Sequence, residues 1–246
     1  MIITYPPKTR SVLLKLSALV VAMLAFPMSV SAEEIESSMA RGGELYDKWY
    51  KVIDAKAPAE KHPTYPASGK YASKPGTTWR CKECHGWDYE GKDGAYSKGK
   101  HHTGIKGIQG MAGATSDKII AVLKDPKHGY GKKLSATDLT DLANFVSKGQ
   151  VDTDKYIDRV SKQPKGDKAK GEGYYNTICA KCHSKDGTEP DDMSKTLGAL
   201  MSNPWEVMHK IMNGQPDEEM PSLRALDTQV IVDILAHMTT LPKKKK

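Results

Sequence analysis

The chain has 246 residues, of which 38% are apolar and 7% aromatic, and its mean hydropathy is −0.56. Such a polar composition excludes a protein made of several membrane spans, and the length allows one large or two small domains. Apolar side chains are few for this length, which favours an interior partly filled by a cofactor. The four cysteines all lie in two short motifs.

Residues 1–32 have the pattern of a secretory signal peptide. Three basic residues and no acidic residue accompany an apolar run at 16–28, and small residues lead up to Glu33. A positive region, an apolar region of about a dozen residues and a small-residue cleavage site are the three parts of such a signal. The run is too short to cross a bilayer comfortably. We therefore predict cleavage after Ala32, export to the periplasm, and no membrane span in the mature chain.

Loss of that segment removes three basic residues and leaves 34 basic against 30 acidic side chains, a net charge of +4. This excess is too small to predict binding to nucleic acid. Four of the remaining basic residues form the C-terminal run 243–246. The run is either a solvated end or an electrostatic contact for an acidic partner protein, an enzyme complex or an anionic membrane surface.

Two copies of the pattern C-x-x-C-H carry the clearest chemistry in the sequence. The first is Cys81-Lys82-Glu83-Cys84-His85 and the second is Cys179-Ala180-Lys181-Cys182-His183. This spacing is the attachment pattern of c-type haem, in which each cysteine forms a thioether with one vinyl group and the adjacent histidine binds the iron. A zinc half-site or a redox dithiol requires only the cysteine pair. The sequence therefore predicts two covalently bound haem c groups, with His85 and His183 as axial ligands.

At these residues the chain resembles class I cytochromes c in a tandem, two-haem form. The resemblance implies an all-α fold with a first cytochrome c domain at 33–150, a linker at 151–168 and a second domain at 169–246. In that family an N-terminal helix crosses a C-terminal helix, the haem motif lies between them, and the second axial ligand comes from the loop before the last helix.

The spacing of apolar residues predicts the same helices independently of the resemblance. Apolar positions recur at helical spacing over 35–56, 135–148 and 228–240. Glycines lower helix propensity, so Gly42 and Gly43 inside the first of these helices indicate a close backbone approach to another helix.

For the second haem the sequence offers one clear distal ligand. Met220 begins the segment Met220-Pro221-Ser222-Leu223, directly before the last helix, and the resembling family places its distal methionine in such a segment. A thioether is a soft ligand that favours ferrous iron. We therefore predict Met220 as the ligand, while we predict packing roles for Met201, Met208 and Met212. We expect His209 and His62 to be surface or capping histidines.

For the first haem no such segment exists. When Asp141 is aligned with Asp233 in the two terminal helices, the position of Met220 corresponds to His128. The alignment predicts His128 as the distal ligand and a bis-histidine haem. Three alternatives remain open, namely His101, His102 and Met111.

Two different ligand pairs predict two different reduction potentials. Imidazole donates more to ferric iron than a thioether does, so we expect the His/His haem at the lower potential. Filled axial positions leave no place for a substrate, which predicts an electron carrier rather than an enzyme. We expect the first haem to accept the electron and the second to pass it on. Interfaces with redox partners of this kind are small, transient and steered by charge.

Two further classes of function are open at this point. The plan is similar to two-haem enzymes that oxidise thiosulfate or reduce peroxide. Thiosulfate dehydrogenases use a cysteine as a distal ligand, whereas all four cysteines here are committed to thioethers. A peroxidase needs an open iron, which becomes available if His128 is not a ligand. The third class is a cytochrome subunit that docks onto a larger oxidoreductase through the lysine run.

Overall fold

The computed structural model of the protein describes residues 32–245. The described residues form helices and loops without any strand, and their only bridges are two isolated pairs, Gly91 with Lys106 and Ile157 with Pro164. The predicted all-α fold is therefore confirmed for this part of the chain. The predicted signal peptide lies outside the described residues, except for its last residue, Ala32. No helix within 32–245 has both the length and the apolar character needed to cross a bilayer.

Ten α-helices occur in the described part of the chain. In order they are α1 Ala32–Val52, α2 Pro75–Thr78, α3 Cys81–His85, α4 Ser116–Lys124, α5 Ala136–Asn144, α6 Lys168–Ile178, α7 Ala180–His183, α8 Leu197–Leu200, α9 Pro204–Asn213 and α10 Thr228–Met238. Short 3-10 turns occur at Gln109–Met111, Tyr130–Lys132 and Thr153–Lys155.

The long helices agree with the predicted segments but end earlier. α1 ends at Val52 and α10 at Met238, and α5 ends at Asn144 before a π-helical turn at Phe145–Gly149. The start of α5 is fixed by a capping box, in which the Ser135 hydroxyl accepts a hydrogen bond from the Asp138 amide and the Asp138 carboxylate accepts one from the Ser135 amide. Local capping rather than apolar spacing therefore sets this boundary.

The first and last long helices of each half cross at a glycine. A Cβ atom on Gly42 of α1 would overlap the Asp141 carbonyl oxygen of α5, and one on Gly171 of α6 would overlap the Asp233 carbonyl oxygen of α10. The close approach predicted at Gly42 is confirmed. Because Asp141 and Asp233 are the pair aligned in the sequence, the two crossings occupy equivalent places.

A tyrosine one turn after each glycine is bonded to the C-x-x-C-H segment. The Tyr46 hydroxyl donates a hydrogen bond of 2.6 Å to the Gly86 carbonyl, and the Tyr175 hydroxyl donates one of 2.8 Å to the Ser184 carbonyl. Gly86 and Ser184 each directly follow the histidine of a motif. Both tyrosines are buried. In each half, the hydrogen bond from the tyrosine therefore holds the C-x-x-C-H motif against the glycine crossing of the two helices.

The hydrophobic core of the described residues consists of two clusters, one of which combines residues from both halves of the chain. One cluster packs α1 against α4 and α5. The other is built mainly from α9 and α10, yet it also contains Trp87 and Tyr96 from the loop after the first motif. Arg159 of the predicted linker bonds to Asp88 and Glu90 in the same loop, each at 2.8 Å. The loop after the first motif therefore packs into the C-terminal half.

Substitution of the crossing glycines should destabilise the protein strongly. In Gly42→Ala or Gly171→Ala the added methyl group would force the helices apart, and overpacking of this kind costs about 1–3 kcal/mol. Gly173→Ala is the matched control, because it lies in α6 with no atom within 4 Å of the new Cβ. The control should gain up to about 1 kcal/mol from helix propensity. Chemical denaturation of the three variants measures the difference, and equal stability of Gly171→Ala and Gly173→Ala would contradict the crossing.

Candidate haem-attachment sites

The first C-x-x-C-H motif forms the short helix α3, and its middle residues are buried with their charges. Lys82 and Glu83 are 5% and 0% exposed, and their side chains form an ion pair of 2.9 Å. The second Glu83 oxygen bonds to His101 Nδ1 at 2.8 Å. Although burial opposes it, the bonds from His101 and Lys82 lower the pKa of Glu83. The motif is therefore fixed by a charged network beneath the surface.

The histidine of this motif has one ring nitrogen free for a metal. His85 Nδ1 lies 2.7 Å from the Lys106 carbonyl oxygen, and because a carbonyl only accepts, Nδ1 carries the proton and Nε2 keeps its lone pair. Burial lowers the pKa of His85 to about 4, so the ring is neutral near pH 7. This is the protonation state and the carbonyl partner expected of a metal-binding histidine.

His128 lies opposite His85. The two ring centres are 6.4 Å apart and the ring planes are within 15° of parallel. His128 Nδ1 lies 3.2 Å from a carboxylate oxygen of Asp125, which also accepts the His128 amide at 2.8 Å. The carboxylate orients the ring and leaves Nε2 available, as for His85.

The spacing of these rings fits a metal ion between them. Two metal–imidazole bonds of about 2 Å each, with about 1 Å from each nitrogen to its ring centre, place two ring centres about 6 Å apart on one metal. The residues present therefore fit an iron with two histidine ligands. The geometry supports His128 as the distal ligand, and the assignment stays a prediction.

The alternative ligands have other surroundings. The His101 ring stacks on Tyr96 with centres 4.7 Å apart, in addition to its bond to Glu83. His102 is exposed and its Nδ1 bonds to the Tyr96 carbonyl at 3.0 Å. Met111 is partly buried against the core cluster of α1 and α5. These contacts favour a supporting role for His101 in the charged network.

His62 was expected at the surface, and that expectation is wrong. It is 5% exposed, and its Nε2 lies 3.2 Å from the His128 carbonyl oxygen. Thr64 bonds to its Nδ1, and its ring packs on Trp79 with centres 4.3 Å apart. The loop between α1 and α2 thus folds back behind the His128 backbone. A lone histidine in an irregular loop carries no sequence signal for such a contact.

The second motif is more open than the first. Cys179 follows the end of α6, α7 contains the rest of the motif, and Cys182 is exposed. His183 Nδ1 lies 3.0 Å from the Glu189 carbonyl oxygen. As at His85, the proton therefore sits on Nδ1 and leaves Nε2 free. The two motif histidines share one hydrogen-bonding arrangement.

Met220 and Cys179 both pack against the apolar cluster built mainly from α9 and α10. The segment that follows it is bonded to α9, with Ser222 Oγ 2.6 Å from the Met212 carbonyl and the Leu223 amide 3.0 Å from the Ile211 carbonyl. The same cluster contains Trp205, whose buried Nε1 has no partner. Apolar side chains beside a buried donor fit a flat apolar ring that carries carboxylates. The assignment of Met220 as a ligand stays a prediction.

None of the four cysteines forms a disulfide with another. Burial raises the pKa of Cys81 to about 11, of Cys84 to about 12 and of Cys179 to about 11. No group of three or more His, Cys, Asp or Glu side chains among residues 32–245 is arranged to hold a metal ion. Attachment of haem requires no such group, because the cysteines bind the porphyrin and the iron takes only two protein ligands.

The remaining residues singled out by sequence are placed as follows. Met201, Met208 and Met212 are buried in the C-terminal core, which confirms their packing role. The expectation that His209 is a surface histidine is wrong, because it is 1% exposed. Its position depends on contacts between the two halves, which apolar spacing along one helix does not reveal.

Comparison with known proteins bears on the C-terminal half. Residues 166–238 match a protein family described as cytochrome C oxidase, cbb3-type, subunit III. The match spans α6 to α10 and includes the second motif and Met220. It supports a c-type cytochrome, that is, an electron-transfer protein with covalently bound haem c. No curated protein matches the chain.

Replacement of His62 should loosen the distal side of the first site. His62→Asn would remove the contact with the His128 carbonyl and the packing on Trp79, and loss of an outer-shell partner weakens metal ligation by about ten-fold or more. Cyanide must displace the distal ligand to bind ferric haem, so the apparent affinity for cyanide should rise by a similar factor. His102→Asn is the control and should leave it unchanged. An unchanged affinity in His62→Asn would remove His62 from this role.

Proposed function

We propose that the protein is an exported two-haem cytochrome c that carries electrons between redox partner proteins. The proposal assigns one haem to Cys81 and Cys84 and the other to Cys179 and Cys182. It extends the electron-transfer role supported for residues 166–238 to the N-terminal half of the chain.

The repeated set of contacts carries the proposal. Within 166–238 the motif is framed by a glycine crossing, a tyrosine bonded to the residue after the motif histidine, and a carbonyl bonded to that histidine. The N-terminal half has all three contacts, with the glycine and the tyrosine at equivalent places and the carbonyl supplied by Lys106, further along the chain from its histidine than Glu189 is from His183. Three coincident contacts around two copies of one motif support a second domain of the same kind.

When bound, haem supplies reversible one-electron exchange at its iron, and the chain sets its potential and surroundings. The motif histidines would offer Nε2 to the iron, because a backbone carbonyl is bonded to Nδ1 of each ring and fixes its orientation. His128 and Met220 would fill the distal positions. With both axial positions filled by side chains, the chain offers a substrate no place at the metal, which favours outer-sphere transfer.

The two distal ligands set a direction for the electron. The imidazole of His128 favours ferric iron relative to the thioether of Met220, so the first site has the lower potential. With haem bound at both sites, electron transfer from the first site to the second would therefore be downhill. In this proposal export to the periplasm follows from residues 1–32, and the terminal lysines 243–246 steer an acidic partner.

Mass spectrometry of the matured protein tests the number of haems. The mass should exceed that of residues 33–246 by two haem groups. A double variant Cys81→Ala, Cys84→Ala should retain one haem, and so should Cys179→Ala, Cys182→Ala. A wild-type protein with a single haem would contradict the proposal.

Substitution of the distal ligand tests the first site. His128→Ala should convert one of the two ferric haems from low spin to high spin, because the iron loses its sixth ligand, and absorption and electron paramagnetic resonance spectra measure the change. His101→Ala, His102→Ala and Met111→Ala are matched controls. A high-spin signal in one of these control variants, together with an unchanged spectrum of His128→Ala, would identify the control residue as the distal ligand instead.

A second candidate function is a cytochrome subunit of a larger oxidoreductase. It is favoured by the match of 166–238 to a family described as an oxidase subunit. A partner that stays bound through purification at high salt would support this candidate, because charge-steered transient contacts dissociate as salt screens them. Purification without a partner would favour the independent carrier.

A further inference from the structure

His209 belongs to α9 in the C-terminal half, but its ring lies among aromatic side chains of the N-terminal half. The distances from its ring centre to those of Trp87, Tyr46, Phe145 and Tyr89 are 5.0, 5.6, 5.6 and 5.9 Å. The side chain is 1% exposed. It is therefore enclosed at the contact, or junction, between the two halves.

Both ring nitrogens of His209 are bonded across this junction. Nε2 lies 2.9 Å from the Gly43 carbonyl of α1, and Nδ1 lies 2.9 Å from the Tyr89 hydroxyl. Because the carbonyl only accepts, Nε2 carries the proton and Nδ1 accepts from Tyr89. Burial lowers the pKa of His209 to about 4, which keeps this neutral form near pH 7. One tautomer thus satisfies two partners on two different segments.

The N-terminal partners of His209 lead directly to the first motif. Tyr46, in ring contact with His209, donates to the carbonyl of Gly86, the residue after His85. The His85 carbonyl accepts from the Gly91 amide at 2.8 Å, two residues beyond Tyr89. The ring thus touches the same loop that positions the proximal histidine.

Towards the C-terminal end of its helix, His209 lies one turn before Asn213, the last residue of α9, and the loop containing Met220 follows. The Asn213 side chain bonds to the His209 carbonyl at 2.7 Å, and Arg224 bonds to the Asn213 side-chain oxygen at 2.6 Å. Arg224 also donates to the Gly149 carbonyl at 3.0 Å. The end of α9 therefore holds the Met220 loop and reaches the N-terminal half at the same time.

We propose that His209 is a positioning residue that fixes the two haem sites relative to each other, and so sets the rate of electron transfer between them. The inference rests on the proposed function. The transfer it serves moves one electron from the reduced first site to the oxidised second site and moves no proton. The His209 side chain binds α1 and the loop after the first motif, and the end of α9 that carries it is bonded through Asn213 to Arg224 in the loop after Met220. Loss of the side chain therefore affects the separation of the two sites without touching any predicted ligand.

The test compares His209→Leu with His237→Leu. His237 is a second histidine of the C-terminal half, 9% exposed, with its ring against Tyr175 and away from the junction. In the matured protein we measure the rate of protease cleavage within 151–168 and the rate of electron redistribution after partial flash reduction. Two polar groups left buried and unpaired should raise the rate of cleavage about ten-fold, and the altered separation of the two sites should slow electron redistribution. Both reduction potentials should stay unchanged, His237→Leu should behave as wild type, and His209→Gln should recover part of the loss.

Each outcome decides the inference. Redistribution at the wild-type rate in His209→Leu overturns it, even if cleavage increases, because the residue is then only structural. If His209→Leu does not fold, Tyr89→Phe decides, since it keeps the ring and removes one bond: slower redistribution with unchanged potentials supports the inference, and an unchanged rate overturns it. A matured chain with one haem contradicts both the proposed function and the role in electron transfer. The cleavage rate then reports only how firmly the two halves are held together.

Discussion

The close crossing of helices at glycine determines where both motifs lie. Without a side chain at Gly42, α1 approaches α5 to backbone contact, and Gly171 gives α6 the same approach to α10. One helical turn after each glycine, a tyrosine donates a hydrogen bond to the carbonyl of the residue that follows the motif histidine. Each motif is thus positioned by contacts between rigid helices rather than by the loops that surround it. Such contacts can hold a motif in place even in a small helical fold with few apolar residues.

The two motifs differ in their surroundings, and the difference follows from the junction. The first motif is covered by a long loop whose Trp87 and Tyr96 belong to the C-terminal core, and its middle residues are buried with paired charges. The second motif has an exposed cysteine and no such cover. In a carrier with two sites, the first site would lie at the contact between the two halves of the chain. The second site would be accessible to a protein partner.

Much of this organisation could be predicted from the sequence because its signals are local. The C-x-x-C-H spacing, the glycines in α1 and the alignment of Asp141 with Asp233 each depend on residues close together in one element. The contacts that hold the sites depend on distant segments instead. His62 lies in an irregular loop and His209 in the helix α9, and each side chain is buried by contacts with segments that are distant in the sequence. The packing of Trp87 and Tyr96 against the C-terminal core has the same origin, because it joins segments that are far apart in the sequence.

The central claim is that the chain provides one His/His and one His/Met iron site. Near-infrared magnetic circular dichroism of the oxidised, matured protein tests it most directly, because the charge-transfer bands of ferric haem report the axial ligands. We expect two low-spin signals of equal intensity, one typical of two imidazoles and one of imidazole with thioether. A high-spin signal, or two signals of the same ligand pair, would contradict it.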